Sequence, residues 1–541
     1  MRPRDALLAA LCAAFLALAV APSAGARPAS GARDGRPNIL VVMTDDQSVA
    51  DLALMPNVRR LLAEQGTTFA DAVDTYPLCC PARATFITGQ YAHNHDVNGN
   101  FYPYGWYGMK DRANTLPAWL RRAGYRTALI GKWLNGYGSR DGHGEVPKGF
   151  DVWRGLLDVS AYDYFNFVMN RDGKLKSWGD PSFARKLVEF ADIQVKPQEN
   201  PGLGNVLRRL REVFGDGPYT YWGKEDPEDY SPDVTGAIAE DLVEREARSK
   251  DPFFVWWSPA APHREDVAVT LMGRPGPDPR PAPRHAKRSK RYRLPHTPSF
   301  NEADLGDKPS SLRDGAPALS DAQIQQLQLD YEGRAGSLLA VDDHVKRLVR
   351  VLERTGQLDN TLIVFLSDNG WLQGEHRVPG DKYLPYEESI RVPFILRGPG
   401  VPAGRVVRGQ VANVDFAPTL VDAAGARAGR TMDGTSLMPV ARDPRRRPDR
   451  AIGLEALNRL FDGDFGPFNA WDRPYTGVRT DRYTYAVYAE TGERELYDRR
   501  EDPYQLRSVA GEARYAGVVQ RLEAKRLALR KCRGKSCAVT P

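Results

Sequence analysis

Two pairs of oxygen-bearing side chains follow apolar runs that predict buried strands. Asp45 and Asp46 come directly after NILVVMT, and Asp368 and Asn369 come directly after the run TLIVFLS. Adjacent carboxylates repel each other unless a cation lies between them. Either pair alone is also compatible with a solvent-exposed turn. Because all four side chains offer oxygen and a flexible multi-carboxylate site suits Ca²⁺ better than Mg²⁺, the two pairs together predict a calcium site.

A third motif, PLCCPARATFITG, predicts a helix that starts beside two cysteines. Pro81 is typical of the first turn of a helix, and we expect this one to run to about Thr88. The positive end of the helix would attract an anion at Cys79 and Cys80. Vicinal cysteines form a disulfide with each other only with strain. The motif therefore indicates either two buried structural thiols or a thiol with a chemical role.

The elements that must position these residues alternate between strand and helix. Runs rich in β-branched and aromatic residues predict buried strands that begin at Asn38, Arg126, Phe253, Thr361 and Val392. Between and around them, helical patterns cover residues 58–64, 116–123, 234–248 and 320–354. This alternation predicts an α/β fold with a large, mostly parallel sheet between helices, with sites beyond the carboxyl ends of the strands.

Proline and charge patterns divide the chain further. Residues 37–440 are predicted to be the main α/β domain, and residues 445–541 a smaller α+β subdomain that ends in a helix over 513–530. Within the main domain, residues 270–314 are proline-rich, with eight Lys or Arg between positions 274 and 293. We expect an insertion outside the core, either a solvated loop or a basic lip that attracts an anionic polymer.

Composition excludes several classes of protein. The 541 residues are 42% hydrophobic and 27% charged, which is typical of a globular protein and not of a disordered or collagen-like chain. A net charge of +6 without any nucleic-acid motif gives no indication of nucleic-acid binding. Residues 1–26 combine early arginines, a short apolar run and small residues, which predicts a signal peptide and no stable membrane span. We expect an exported protein, whether extracellular, periplasmic or lysosomal.

Two further cysteines lie at the end of the chain. Cys532 and Cys537 are separated by four residues, and this tail contains no second pair of zinc ligands. In the oxidising compartment that an export signal implies, the pair predicts a disulfide.

The cysteine motif also carries a family resemblance. Cys79-x-Pro81-x-Arg83 followed by ATFITG resembles the signature of the type I sulfatases, in which this cysteine is oxidised to formylglycine by a formylglycine-generating enzyme. PNILVVMTDDQ and SDNG resemble the two metal-binding segments of that family, and the likeness extends from residue 37 to about 502. It implies an alkaline-phosphatase-like sulfatase fold. Three segments, LCCPARATFITGQYAHNHDVNGN, GKWLNGYG and CRGKSC, resemble the N-acetylglucosamine-6-sulfatases in particular.

The resemblance implies roles for individual residues. The implied catalytic residues are Cys79, Arg83, Lys132, His263 and Lys382. The implied metal ligands are Asp45, Asp46, Cys79 as formylglycine, Asp368 and Asn369. The candidate substrate-binding residues are His93, His95, Asn98 and Asn135, although the two histidines equally suit a structural role.

One position departs from the broader family. Many arylsulfatases carry histidine two residues after the first lysine, where this chain has Leu134 followed by Asn135, as in the glucosamine-sulfatase branch. The implied activity is hydrolysis of a sulfate ester, with the 6-O-sulfate of glucosamine units in a sulfated glycan as the expected substrate. A phosphodiester or phosphonate ester hydrolase on the same scaffold, or an unconverted sulfated-glycan-binding protein, are the alternatives.

Overall fold

The computed structural model describes residues 35–100, 103–138, 143–158, 160–186, 225–265, 276–458 and 470–541. Residues Arg36–Pro541 form one compact unit. The predicted signal peptide, residues 1–26, lies outside the described residues. None of the helices in the described part of the chain is both long and apolar enough to cross a membrane.

The fold is built on a mixed sheet of ten strands in the order β11-β2-β10-β9-β1-β8-β4-β5-β6-β7. Five adjacent central strands, from β9 to β5, run parallel, and β10, β6 and β7 introduce antiparallel pairs on the two sides. The strands of this sheet are β1 (Asn38–Thr44), β2 (Thr67–Phe69), β4 (Arg126–Lys132), β5 (Val152–Leu156), β6 (Phe167–Arg171), β7 (Lys174–Trp178), β8 (Phe253–Ser258), β9 (Thr361–Ser367), β10 (Phe394–Arg397) and β11 (Arg405–Val407). Short strands β3 (Ala72–Val73) and β12 (Val411–Ala412) pair separately.

Helices cover both faces of this sheet, as the alternating pattern predicts. The helices are α1 (Pro56–Val58), α2 (Cys79–Thr88), α3 (Ala92–His95), α4 (Gly105–Gly108), α5 (Leu116–Arg122), α6 (Ser231–Ala247), α7 (Ala286–Ser289), α8 (Ser310–Gly315), α9 (Asp321–Arg354), α10 (Glu387–Ile390), α11 (Phe416–Ala423), α12 (Met438–Arg442) and α13 (Ala516–Leu529). Alternate side chains of β1 enter two separate cores: Ile39 packs with α2, α5 and α11, whereas Leu40 packs with α6 and α9. Because β1 is buried on both faces, its sequence is continuously apolar.

The C-terminal part of the chain contains a second, smaller sheet. Strands β13 (Ile452–Ala456), β14 (Tyr475–Arg479), β15 (Tyr483–Tyr488) and β16 (Arg494–Asp498) form an antiparallel meander against which α13 packs. This sheet shares its core with Tyr76, Leu78 and Tyr91 from the segments on either side of α2. The predicted disulfide between Cys532 and Cys537 is present.

The described part of the predicted insertion, residues 276–314, differs from the expected solvated loop. Ala282 and Leu294 belong to the core that α6 and α9 share. Arg280 is buried and forms ion pairs with Glu265 and Asp163. The segment is therefore anchored on α9, because its apolar and paired side chains face inward and leave only part of its positive charge at the surface.

Candidate active site

The two predicted acidic pairs meet at one edge of the main sheet. Strands β1 and β9 are parallel neighbours with Thr44 opposite Ser367, so the residues that follow them leave the sheet side by side. The amide nitrogen of Asp46 donates a hydrogen bond to Asp368 Oδ1 at 3.1 Å. Asn369 Nδ2 donates to Asp46 Oδ1 at 2.6 Å. Parallel pairing thus brings together oxygens that are more than 300 positions apart in the chain.

This cluster has the donor set of a metal site. Among the described residues, Asp46 Oδ2 and Asn369 Oδ1 are buried and lack a hydrogen-bond partner. Asp45, Asp46, Cys79 and His263 each offer a ligand atom, and these atoms lie within 4.8 Å of one another. Buried acceptors without partners are costly, and a hard cation would satisfy them. The residues present therefore fit a divalent cation bound mainly by oxygen.

Helix α2 places Cys79 at this cluster. The helix starts at Cys79 and ends at Gly89, which adopts the left-handed conformation typical of a helix terminus. Cys79 is buried, and its Sγ lies 3.5 Å from Asp45 Oδ1 and accepts a hydrogen bond from Lys382 Nζ at 2.9 Å. Burial and the neighbouring carboxylate of Asp45 raise the pKa of the Cys79 thiol well above its usual value. Cys80 points away from the acidic pair, toward the backbone oxygen of Asn135.

Arg83, one helical turn after Cys79, ties three parts of the site together. Its Nε donates to Asp368 Oδ2 at 2.7 Å, and its Nη1 donates to Ser258 Oγ at 2.8 Å and to the backbone oxygen of Lys132 at 3.0 Å. Burial opposes the charge on Arg83, but Asp368 and Asp45 raise the pKa of its guanidinium above the usual value. Arg83 thus connects the carboxyl ends of β9, β8 and β4 through one rigid side chain.

Two lysines approach the acidic pair, Lys132 from the end of β4 and Lys382 from the segment between β9 and α10. Lys132 Nζ contacts Asp45, and Lys382 Nζ contacts Asp46. Burial disfavours both charges, but the facing carboxylates raise the pKa of each lysine above its usual value. Burial raises the pKa of Asp45. The positive charges of Lys132 and Arg83 outweigh this effect and lower the pKa of Asp45 to about 2. Both lysines therefore carry a positive charge beside Cys79.

The position of Lys132 depends on the glycine before it. Gly131 has a φ of +107°, and a Cβ there would lie 2.0 Å from the backbone oxygen of Ser258. Strands β4 and β8 can approach this closely only without a side chain at position 131. The Gly-Lys dipeptide is thus a requirement of the backbone as much as of the chemistry.

His263 follows β8 and completes the cluster. Its Nδ1 lies 2.7 Å from the backbone oxygen of Arg264. Because a carbonyl oxygen can only accept a hydrogen bond, Nδ1 is the donor and carries a proton. Its Nε2 therefore faces the site, 3.5 Å from Asp46 Oδ2. The ring of Tyr162 lies 4.2 Å from the imidazole, centroid to centroid, and 4.6 Å from Lys132 Nζ. His263 can exchange a proton through one defined nitrogen.

The four candidate substrate-binding residues lie in different surroundings. Asn135 donates to the hydroxyl of Tyr162 at 2.7 Å, and its Oδ1 is buried without a hydrogen-bond partner in the described part of the chain. Asn98 contributes its backbone oxygen to Tyr76. His95 is fully buried and contacts Thr85. His93 contacts Glu455 and the backbone oxygen of Cys532. Only Asn135 is linked directly to a neighbour of Lys132 and His263.

Three residues at the site escape sequence reasoning. Arg334 of α9 donates to the backbone oxygen of Asp46 at 2.7 Å and so holds the loop that follows β1. A charged residue on the apolar face of a long helix was the signal that could have found it. Trp371 lies 5.5 Å from Lys382 Nζ, ring centroid to nitrogen. Neither Trp371 nor Tyr162 has a local pattern that distinguishes it from a core aromatic residue.

Two family models and a curated relative match most of the chain. The sulfatase family model matches residues 37–426, and the model for the C-terminal region of N-sulphoglucosamine sulphohydrolase matches residues 374–532. N-acetylglucosamine-6-sulfatase of Capra hircus is 29% identical over 94% of this chain and 86% of its own length.

Two solved structures share the fold. One, a protein in complex with its substrate D-glucosamine-2-N,6-O-disulfate, has a TM-score of 0.69 at 24% identity and covers 92% of this chain and 98% of its own. The other, a phosphonate monoester hydrolase of Agrobacterium radiobacter, has a TM-score of 0.61 at 24% identity over 92% of this chain and 95% of its own. Both likenesses confirm the mixed sheet between helices. With the family match over most of its length, the chain belongs to the sulfatase family and is a sulfuric ester hydrolase.

Proposed function

We propose that this protein removes the 6-O-sulfate from N-acetylglucosamine or glucosamine units of sulfated glycans, with position 79 acting as formylglycine and Ca²⁺ bound beside it. One observation carries the proposal. Cys79 Sγ lies 3.5 Å from Asp45 and 2.9 Å from Lys382 Nζ, so a group at position 79 faces both the oxygen cluster and a positive charge. A nucleophile beside a cation site and two lysines suits transfer of a negatively charged group.

Formylglycine and the cation have distinct contributions. The formylglycine hydrate would carry two hydroxyl groups on one carbon. One would attack sulfur, and the other would lose its proton and form the aldehyde while the carbon–oxygen bond to sulfate breaks. A plain thiol or hydroxyl would retain the sulfate. Bound Ca²⁺ supplies positive charge that lowers the pKa of a coordinated hydroxyl. Asp45, Asp46, Asp368 and Asn369 would hold it, with the group at position 79 as a further ligand.

The residues of the chain account for the other steps. Lys132 and Lys382 neutralise the sulfate oxygens, and the positive end of α2 adds to their effect. His263 donates a proton from Nε2 to the sugar oxygen as the sulfur–oxygen bond breaks, because its Nδ1 is engaged with a carbonyl. Arg83 keeps the nucleophile, Asp368 and Lys132 in one arrangement.

The sugar specificity rests on relatives and on Asn135. N-acetylglucosamine-6-sulfatase of Capra hircus is a relative over most of both chains. Asn135 presents a buried oxygen without a partner among the described residues, beside Tyr162, where it can accept a hydrogen bond from a sugar hydroxyl or amide. We infer that Asn135 binds the sugar, whereas His93, His95 and Asn98 are weaker candidates. The motif at residues 1–26 supports export.

The first experiment measures modification and activity in the same preparation. Mass spectrometry of the tryptic peptide 61–83 from the native host should detect an aldehyde at Cys79 and an unchanged Cys80. The same preparation should release sulfate from D-glucosamine 6-sulfate, and Cys79→Ala should abolish this release. Cys80→Ala is the matched control, because its thiol is equally buried but faces Asn135 instead of the acidic pair.

Paired substrates separate the alternatives. A phosphonate monoester hydrolase would turn over phenyl phosphonate esters faster than the matched sulfate ester and would leave D-glucosamine 6-sulfate intact. A glycan-binding protein without turnover would show an intact Cys79 and no release of sulfate. Either result would overturn the proposal.

A further inference from the structure

The cations of the segment 276–294 fall into two sets. Three have acidic partners: Arg280 pairs with Glu265 and Asp163, Arg284 with Asp233 and Asp343, and Arg293 with Glu332. Four others are exposed and make no ion pair within 4 Å in the described part of the chain; we name them the basic ridge, Lys287, Arg288, Lys290 and Arg291. Positive charge is therefore concentrated in five consecutive positions, 287–291, at the end of α7 and in the turn that follows it.

The basic ridge is held rigidly in place. The side chain of His285 is buried and contacts Asp343 at 2.8 Å. Ser289, four residues later on the same side of the turn, is also buried and packs against Gly336 of α9. These two residues hold the turn against α9. The four cations between and directly after them lie at the surface. The ridge is a preformed surface and not a mobile charged tail.

Such an arrangement is unfavourable for the protein alone. The four cations of the ridge lie within five consecutive positions, so their like charges repel one another over short distances. The neighbouring cations in the same segment are neutralised by acidic partners, whereas these four are not. A polyanion bound along the ridge would remove the repulsion and would gain from rigid, closely spaced charges.

The ridge is connected to the active site. Its segment packs on the stretch of α9 that includes Gly333 and Gly336. Arg334, within that stretch, holds the backbone of Asp46. At the other end of the segment, Asp278 accepts a hydrogen bond from Arg264, the neighbour of His263, at 3.0 Å. The segment that carries the ridge thus packs on the same helix as Arg334 and reaches the residue next to His263.

We propose that the basic ridge is a second binding site for the sulfated glycan chain, which holds the polymer while one of its sulfate groups occupies the active site. This inference rests on the proposed function for its choice of polyanion. A membrane is disfavoured because none of the exposed large apolar residues of the described chain lies within the ridge. The ridge would affect polymeric substrates only.

The test compares two triple variants of the full-length protein. The first neutralises the ridge by Lys287→Gln, Lys290→Gln and Arg291→Gln. The matched control, Arg445→Gln, Arg446→Gln and Arg447→Gln, removes three exposed charges from another segment. Both variants should fold, because all six side chains are exposed; thermal unfolding of the control should match the parent protein, and the ridge variant should unfold at the same or a slightly higher temperature, because it loses the repulsion between its cations. KM and kcat are measured with 6-O-sulfated heparan sulfate and with D-glucosamine 6-sulfate.

We expect the ridge variant to raise the KM for heparan sulfate about tenfold, given the modest contribution of each exposed ion pair, with kcat unchanged. Kinetics with D-glucosamine 6-sulfate should stay the same, and the control variant should behave like the parent. Equal KM values for the two variants on the polymer would overturn the proposal.

Direct binding separates this inference from the proposed function. Affinity for immobilised heparan sulfate should fall in the ridge variant and with increasing salt, even if the protein releases no sulfate from it. Tighter binding of single-stranded DNA or of phosphatidylserine vesicles than of heparan sulfate, with the same dependence on the ridge, would assign the surface to a different partner and overturn the glycan assignment.

Discussion

A comparison of two buried arginines shows how a site differs from a structural contact. Arg83 lies at the active site, and Arg479 ends strand β14 of the C-terminal sheet. Neither has measurable exposure. Arg479 makes five hydrogen bonds, to both oxygens of Glu387, both oxygens of Asp71 and the side-chain oxygen of Gln410. Arg83 uses Nε and Nη1, but its Nη2 makes no hydrogen bond within the described residues.

The two arginines are equally buried, and they differ in whether every guanidinium nitrogen has a hydrogen-bond partner. Each nitrogen of the Arg479 guanidinium has a partner, which is the usual condition for buried charge, although Nε of Arg391 and Nε of Arg499, which face the same carboxylates, make no hydrogen bond within the described residues. Around Arg83 several polar atoms lack one, among them Asp46 Oδ2 and Asn369 Oδ1. Unsatisfied buried groups persist where a ligand completes them. Four experiments can break or sharpen this contrast.

Metal removal should have the largest effect. Dialysis against a chelator should reduce sulfate release at least about 10³-fold, since a bound cation contributes several kcal/mol of charge stabilisation. Added Ca²⁺ should restore the rate and raise the unfolding temperature, because a ligand that binds only the folded state stabilises it. Unchanged activity after verified metal removal would show that the unsatisfied oxygens have another explanation.

Substitution of Arg479 should affect stability and not chemistry. Arg479→Met removes the hydrogen-bonded partner of the partly buried Glu387 and Asp71 and leaves them only the longer contacts with Arg391 and Arg499, which should cost about 3 kcal/mol of unfolding free energy. The kcat per folded molecule should stay within twofold of the parent value. Urea unfolding measures the loss, with Arg482→Met as the control, because Arg482 pairs with Asp498 at a partly exposed position. A similar loss in both variants would contradict the argument from hydrogen-bond partners.

The contact between His93 and Glu455 should make stability depend on pH. Burial alone would lower the pKa of His93, but the hydrogen bond and charge of Glu455 raise it to about 9. The stabilisation is then complete below the unfolded pKa of about 6.5 and is lost as the pH rises through about 9, up to about 3 kcal/mol in all.

Unfolding free energies of the parent and Glu455→Gln at several pH values measure this contribution. The difference between the two proteins should be largest near pH 6, should shrink between about pH 6.5 and pH 9, and should be small above pH 9. A difference that is constant with pH would show that His93 is neutral in the folded protein.

Substitutions of Tyr162 test whether the active site requires Lys132 and His263 in fixed positions. Tyr162→Leu removes the ring between Lys132 and His263 and should reduce kcat/KM about 100-fold, as displaced catalytic groups commonly do. Tyr162→Phe keeps the ring and loses the hydroxyl that accepts the hydrogen bond from Asn135, so it should stay within a few-fold of the parent. A shifted pH profile in the Leu variant, absent in the Phe variant, would distinguish positioning of His263 from simple loss of packing.

Strand pattern made the fold and much of the candidate site predictable. The runs at Asn38 and Thr361 are strands over their predicted lengths, because strands buried on both faces need continuous apolar sequence. The carboxyl ends of parallel strands share one edge, so the placement of Asp45 and Asp368 follows directly. Tyr162 and Trp371 could not be assigned to the site, because their side chains reach it from segments whose relative orientation no local pattern encodes.

The amino-acid sequence by itself determined the strand and helix pattern, the acidic pairs, the cysteine motif and the family. Each of these depends on residues close together in the chain, where spacing and composition act directly. Only the tertiary structure decided which polar atoms are left unsatisfied around Asp46, and which cations of the segment 276–294 are neutralised or exposed. Those outcomes depend on contacts between residues far apart in sequence, and burial makes each missing or completed contact energetically important.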